Sequence, residues 1–398
     1  MKEFNNYRNN AKAIPLGDLG WQSAEDSGLL NLICKPASHD RIEDQFGHNF
    51  VNLGCSSYLG LNTDSRIIEG AVEGVRRAGQ MVLSTSRLRT YSQILAETEE
   101  TLSELYGAPI LTNVACDITS SGILPLISSG HITDTEKVIT VFDKNAHFSI
   151  NFAKPICADE APVITCPHND LDYLEAICKK HQRVAYICDG IYSLGDKAPV
   201  RELLLLQEKY GLFLYIDDTH GLSIYGQSGE GYAKSIIGEL NPITMIVSSL
   251  GKAFGACGTI LMYGAKHKTN LIKRHGGAIA WSQPLSSANC GAIIASAKIH
   301  KTDELQQLQT QLQTKIKLFD SLVPNPQSGS DFPIRLIHIG DAKTIADIAK
   351  AIYKEGFYAS PVSFPVLKQG KAALRIMMRS NLRDEEIIKF CQLLKNFM

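Results

Sequence analysis

No two of the ten cysteines scattered through these 398 residues form a C-x-x-C pair. That spacing argues against a zinc site or a disulfide framework and for reduced thiols, and no metal-ligand set is expected. Excess charge is missing too: 40 Lys and Arg face 41 Asp and Glu, a formal net charge of -1. Neither a nucleic acid nor an acidic membrane surface is therefore an expected partner. No charge-free apolar run reaches membrane-spanning length, so no membrane span is expected. The polar, Asn-rich opening MKEFNNYRNNAKAIP lacks the apolar stretch of a signal peptide, and a cytoplasmic protein is expected. Internal repeats and low-complexity tracts are also missing.

What is present is a hydrophobic fraction of 44% with 20% charged residues, the composition of a globular chain with a substantial core. The length predicts two to three folding units at roughly 150 residues each. The most telling stretch is Ile243 to Ile260, ITMIVSSLGKAFGACGTI. Met245, Ile246 and Val247 read as a short buried strand, followed by a turn in which Ser248, Ser249, Gly251, Gly255 and Gly258 surround Lys252. Small neighbours let a planar ligand approach the backbone, and partial burial lowers an amine's pKa, which suits a Schiff base and proton transfer. A surface lysine in a glycine-rich loop would look the same from this stretch alone.

Two earlier stretches repeat the design. Phe213 to Ile216 reads as a strand ending at Asp217, Asp218 and His220, and Ala185 to Cys188 as one followed by Asp189, Gly190 and Ser193. Ligands bind at the carboxyl ends of strands in open α/β sheets, so Ser193, Asp217 with His220, and Lys252 are expected at one edge. An acid for a pyridinium nitrogen, a hydroxyl or imidazole for a phenolic oxygen and an amine for an aldehyde are what pyridoxal phosphate requires.

The ordered set DGIYSLGDKAP, IDDTHGLSIYG and SSLGKAFG resembles the α-oxoamine synthases, a family of fold-type I pyridoxal phosphate enzymes. The resemblance runs roughly from Asn52 to the C-terminal helix. It implies an α/β fold: a large domain with a mostly parallel seven-stranded sheet and a smaller α+β C-terminal domain. Boundaries are expected at 1–50 for an N-terminal arm and lead-in, 51–285 for the cofactor-binding domain and 286–398 for a linking helix and small domain. A strand is expected at Asn49 to Leu53, a helix from about Ser65, and a long amphipathic helix over roughly Ser286 to Leu322.

The same resemblance implies site residues. Lys252 forms the Schiff base, Asp217 keeps the pyridine nitrogen protonated, and His147, in A-H-x-S-I, stacks on the ring. Ser193 and His220 hold the phenolic oxygen. Ser121 and Gly122, expected just before an apolar helix, offer free backbone N–H groups to the phosphate, with Ile123 following. Ser249 and Ser282 complete that cradle, Ser282 aligning with a hydroxyl that the family offers to the neighbouring subunit. Arg375, in A-L-R-I, matches the arginine that grips the amino acid's α-carboxylate, while Ser56 and Tyr58 stand in the entry motif.

Three positions depart from the family: Ser56 replaces an asparagine, Leu95 stands near the place of a histidine, and Gln283 replaces a second hydroxyl. Arg87 and Arg89 fit either a substrate contact or a solvated loop. His168 is read as scaffold, with Asn169 or Asp170 capping a helix that carries Leu171, Leu174 and Ile177.

The implied reaction joins an amino acid to an acyl-CoA, with loss of CO2 and coenzyme A, in a homodimer with shared sites. An aminotransferase and a non-catalytic regulatory subunit are the alternatives. S-adenosylmethionine or a carrier-protein thioester could replace the usual substrates.

Overall fold

The computed structural model describes residues 10–37, 41–364 and 366–398. Of the lead-in expected over 1–50, residues 1–9 and 38–40 lie outside the described residues. The described residues form two compact units, Gly60–Gln307 and residues 10–59 together with Leu308–Met398. The stretch after residue 9 joins the C-terminal segment because the strand Phe357–Tyr358 pairs in parallel with Val51 and Asn52.

Among the described residues of the first unit, one sheet has seven strands. Their order is Ile110–Asn113, Thr259–Tyr263, Thr244–Ser249, Phe213–Asp217, Val184–Asp189, Ile139–Asp143 and Val163–Cys166. Thr259–Tyr263 runs antiparallel to both neighbours, and the other pairings are parallel. Parallel strands covered on both faces must be apolar throughout, which is why FLYID and VAYICD are buried at every position. The core lies between the sheet and the helix Cys116–Ser128: Ile123, Leu124 and Ile127 pack with Phe142, Ile187, Tyr215 and Val247.

Helix ends follow their local signals. Asp64 caps Ser65–Ala78 by accepting from the Arg66 N–H, and Ser92 caps Gln93–Tyr106 by accepting from that of Leu95. Leu95, Leu102 and Leu105 are buried, and Gly107 closes that helix at φ 61°. The long helix expected over Ser286 to Leu322 is two, Ser287–His300 and Glu304–Leu322. At the break the Thr302 hydroxyl donates to the Ile299 carbonyl at 2.8 Å, competing with helical bonding. Ser287–His300 packs on Ser65–Ala78 where Gly74 meets Gly291. A Cβ on Gly74 would stand 2.9 Å from the Gly291 Cα, so only glycine admits this approach.

In the second unit the described strands form a four-stranded and a three-stranded sheet, the latter ordered Ile334–His338, Ala373–Met377, Ser360–Val362. FYASPV divides between the two sheets at Ala359. Arg335 is fully buried, and Asp320 and the carbonyls of Ser330, Phe332 and Ile334 bond all three guanidinium nitrogens.

Candidate active site

The site is built in the first unit from the carboxyl ends of three adjacent parallel strands. Asp189 lies in register with Asp217, and Asp217 with Val247, two residues before Ser249. Beyond Asp217 the chain turns sharply: the Thr219 N–H donates to Asp217 Oδ1 at 3.0 Å. Asp218 accepts from the Ala233 N–H at 2.8 Å, and burial raises its pKa well above the carboxylate range. That turn brings His220, 5% exposed, to Lys252, with Nε2 and Nζ 2.7 Å apart.

The loop carrying Lys252 is held at both ends. The Leu250 N–H donates to the Gly258 carbonyl at 2.8 Å, and the Ala256 N–H to the Leu250 carbonyl at 3.0 Å. Gly255 adopts φ 79° against Leu61, and the Phe254 carbonyl accepts from the Ser296 hydroxyl at 2.6 Å. The lysine is thus half-buried on a turn held by these bonds.

His147 is exposed at the same edge. Its N–H donates to Asp189 Oδ1 at 3.0 Å, and its Nδ1 lies 2.8 Å from the Ser149 hydroxyl, which reaches Asp217 Oδ2 at 3.4 Å. Burial, then the neighbouring Asp217 carboxylate, raises the pKa of Asp189 well above the ordinary range. Ser193 lies half-buried in the turn after Val184–Asp189.

The expected phosphate cradle moves. Ser121 and Gly122 stand inside the helix Cys116–Ser128, not before it. Ser121 bonds back to the Ile118 carbonyl at 3.0 Å, Gly122 packs against Gly276, and Ile123 is fully buried in the core. Their N–H groups belong to the helix body, where the preceding turn uses them. The open helix start is at Ala115–Cys116, where no side chain caps the first turn.

Around that start stand groups whose roles the sequence did not reveal. Cys116 Sγ is 3.4 Å from the Thr259 hydroxyl and 3.7 Å from that of Thr219. Burial pushes its thiol pKa up to about 12, so it stays neutral. Thr219 accepts from the Ser249 N–H at 2.9 Å, and Asn113 accepts from the Ser282 hydroxyl at 3.4 Å. The Asn113 Nδ2 is buried without a partner. An uncapped helix start beside an orphaned amide donor fits a phosphate, as the Lys252 amine and Asp217 carboxylate fit the aldehyde and ring nitrogen of pyridoxal phosphate. The available sequence signal was the strand Ile110–Asn113 ending just before V-A-C-D.

Arg375, Tyr58 and Ser56 belong to the second unit. Arg375 lies in Ala373–Met377, and Tyr58 is fully buried with its hydroxyl 4.0 Å from Met377 Sδ. Burial lowers the Arg375 pKa and raises that of Tyr58. Half-buried Ser56 accepts the Tyr58 N–H at 2.9 Å through its carbonyl. Leu95 is a core residue. Arg87, read as a substrate contact or a solvated loop residue, is buried and paired with Glu99 at 2.6 Å.

The family described as aminotransferase class I and II matches residues 48–394. The 8-amino-7-oxononanoate synthase of Petrotoga mobilis is 27% identical over 378 residues, covering 92% of this chain and 93% of its own. The mitochondrial 2-amino-3-ketobutyrate coenzyme A ligase of Mus musculus is 25% identical over 87% of this chain and 83% of its own. Among solved structures, Sphingomonas wittichii serine palmitoyltransferase superposes with a TM-score of 0.83 at 16% identity, covering 98% of each chain. A high-resolution structure of SPT with PLP does so at 0.84 and 18%, also covering 98% of each. The chain belongs to the aminotransferase class I and II family of pyridoxal phosphate enzymes, in its α-oxoamine synthase branch.

Proposed function

We propose that this chain condenses an amino acid with an acyl-CoA thioester, giving an α-aminoketone, CO2 and coenzyme A. The observation that carries this reading is the match over 92% of the chain to a synthase of that branch. The Lys252–His220 pair beside Asp217 supplies the chemical groups.

When bound, pyridoxal phosphate supplies the electron sink for the substrate's α-carbon. Lys252 would provide the amine that anchors the aldehyde and would take the substrate's α-proton. Asp217 holds a proton on the ring nitrogen. His220 and Ser193 would hydrogen-bond the phenolic oxygen, and His147 would cover the ring face. The helix start at Cys116, with Ser249, Ser282 and Asn113, holds the phosphate. Arg375 takes the α-carboxylate through a fork that lysine cannot reproduce.

The carbon attacks the thioester carbonyl, a C–C bond forms and the C–S bond breaks. CO2 then leaves, the proton taken from the α-carbon returns to it, and a proton from solvent completes the thiol.

An active homodimer in the cytoplasm belongs to the same reading, and sedimentation showing a stable, active monomer would refute the dimer. Among the described residues no helix is long and apolar enough to cross a membrane. Free-thiol release from a panel of acyl-CoAs, each with and without amino acids, tests the reaction. Release that needs both partners supports it. Amine transfer to a keto acid without thiol release would establish the aminotransferase instead, and neither activity would restore the non-catalytic reading.

A further inference from the structure

His300 closes the helix Ser287–His300 in the first unit, is 2% exposed and takes no part in the proposed reaction. Its Nδ1 lies 2.9 Å from the Ser296 carbonyl and its Nε2 lies 2.8 Å from the Ser223 hydroxyl. A carbonyl can only accept, so Nδ1 carries the proton. Burial lowers the pKa of the ring to about 4, which keeps it neutral at physiological pH. Nε2 is therefore an acceptor, and the Ser223 hydroxyl donates to it.

The backbone of Ser223 gives that bond its weight. Ser223 is fully buried and stands at φ 69°, in the left-handed region that favours glycine. Gly229 closes over it: a Cβ there would lie 2.9 Å from the Ser223 Cα and 3.0 Å from the His300 Cδ2. A strained residue persists only where its surroundings over-determine it, and the imidazole is part of that constraint. Ser223 lies three residues after His220, in the turn where the Asp218 carbonyl accepts from the Gly221 and Leu222 N–H groups, both at 2.9 Å.

The same end of the helix reaches the loop of Lys252. Ser296, one turn before His300, donates through its hydroxyl to the carbonyl of Phe254 at 2.6 Å, two residues after Lys252. The Phe254 ring lies against the imidazole, with centroids 4.6 Å and planes 32° apart. Phe254 and Ser296 are both fully buried. One helix turn thus fixes the chain after His220 and the chain after Lys252, whose side-chain nitrogens are 2.7 Å apart.

We propose that His300 is a positioning residue that holds Lys252 and His220 at hydrogen-bond distance, through Ser223 on one side and Phe254 on the other. This rests on the proposed condensation, in which Lys252 takes the α-proton. A displacement of about 1 Å at reacting groups can cost up to about 10²-fold in rate, so a buried tie of this kind is read in turnover.

Three variants test it. His300→Leu keeps apolar volume without either bond, and His300→Gln has an amide that can still meet the Ser223 hydroxyl. The double variant His300→Leu with Ser223→Gly removes the strain and the hydroxyl together. Nitrogen NMR of the full-length protein with isotope-labelled histidine follows the His220 Nε2 resonance, assigned by its loss in His220→Asn. Thiol release by the cofactor-loaded enzyme gives kcat and KM. In His300→Leu the resonance should move and kcat should fall about tenfold or more, with KM for both substrates within about twofold. His300→Gln should restore most of both. The double variant should melt above His300→Leu yet keep the displaced resonance and the low kcat, and it carries the test if His300→Leu does not fold. A lower melting temperature with an unmoved resonance and unchanged kcat would make His300 a packing residue and overturn the proposal, as would full recovery in the double variant. A resonance displaced by His300→Leu and restored by His300→Gln, in a protein whose wild type releases no thiol, would keep the positioning and remove the condensation. Two-substrate thiol release by the wild type, with resonance and kcat unmoved in the variants, would do the reverse.

Discussion

Lys252 Nζ lies 2.7 Å from His220 Nε2. At that distance one nitrogen donates and the other accepts, so amine and imidazole are joined by a hydrogen bond. His220→Asn should lower turnover by about 10²-fold or more while the protein still binds cofactor. Steady-state kinetics beside the visible absorption of the loaded protein would check this. Unchanged turnover would remove His220 from the chemistry.

Gly122 tests whether S-S-G is a cofactor loop or a packing position. A Cβ there would overlap the Gly276 carbonyl oxygen and approach Ile279 Cγ1 to 2.9 Å. Gly122→Ala should therefore destabilise the fold by about 1–3 kcal/mol, measured by urea unfolding. Unaltered stability with weakened cofactor binding would return Gly122 to the cofactor site.

Glu99 accepts from Arg87 at 2.6 Å, from the Thr112 N–H at 2.7 Å and hydroxyl at 2.9 Å, and from the Tyr91 hydroxyl. The Arg87 and Glu99 side chains are only 2% and 9% exposed. Arg87→Met leaves a buried carboxylate without its cation and should cost about 3–5 kcal/mol in chemical denaturation. A change below about 1 kcal/mol, the scale of an exposed pair, would show that the pair is solvated in solution.

His168 is held between Asp143 and Asp196, 2.9 Å from each. Burial disfavours its charged ring, but the two carboxylates outweigh this and raise its pKa from 6.5 to about 9. A raised pKa means the charged ring stabilises the folded state fully below 6.5, and that this contribution disappears as pH rises through about 9. The melting temperature should fall over that interval, and the step should be absent in His168→Asn. Identical pH profiles for the two proteins would count against the ion triad.

Reading apolar runs located the sheet because strands buried on both faces admit few polar residues before their ends. Asp189, Asp217 and Ser249 therefore end three adjacent strands at one edge. Helix existence was equally legible at Gln93–Tyr106, where Ser92 and Gly107 mark the ends. The start at Cys116 was not legible: Ala115 has no side-chain oxygen to announce a cap, while Ser120 and Ser121 imitate one farther along.

By itself, then, the sequence determined the chemical inventory of this protein and the strands that deliver it, because local pattern governs burial and strand ends. Only the tertiary structure decided which similar side chains are free for chemistry. Arg87 meets Glu99 twelve residues away, Arg335 is saturated by Asp320, and Arg375 keeps an open Nε donor. Those differences arise from which surfaces fold against one another, and no local window of the chain contains them.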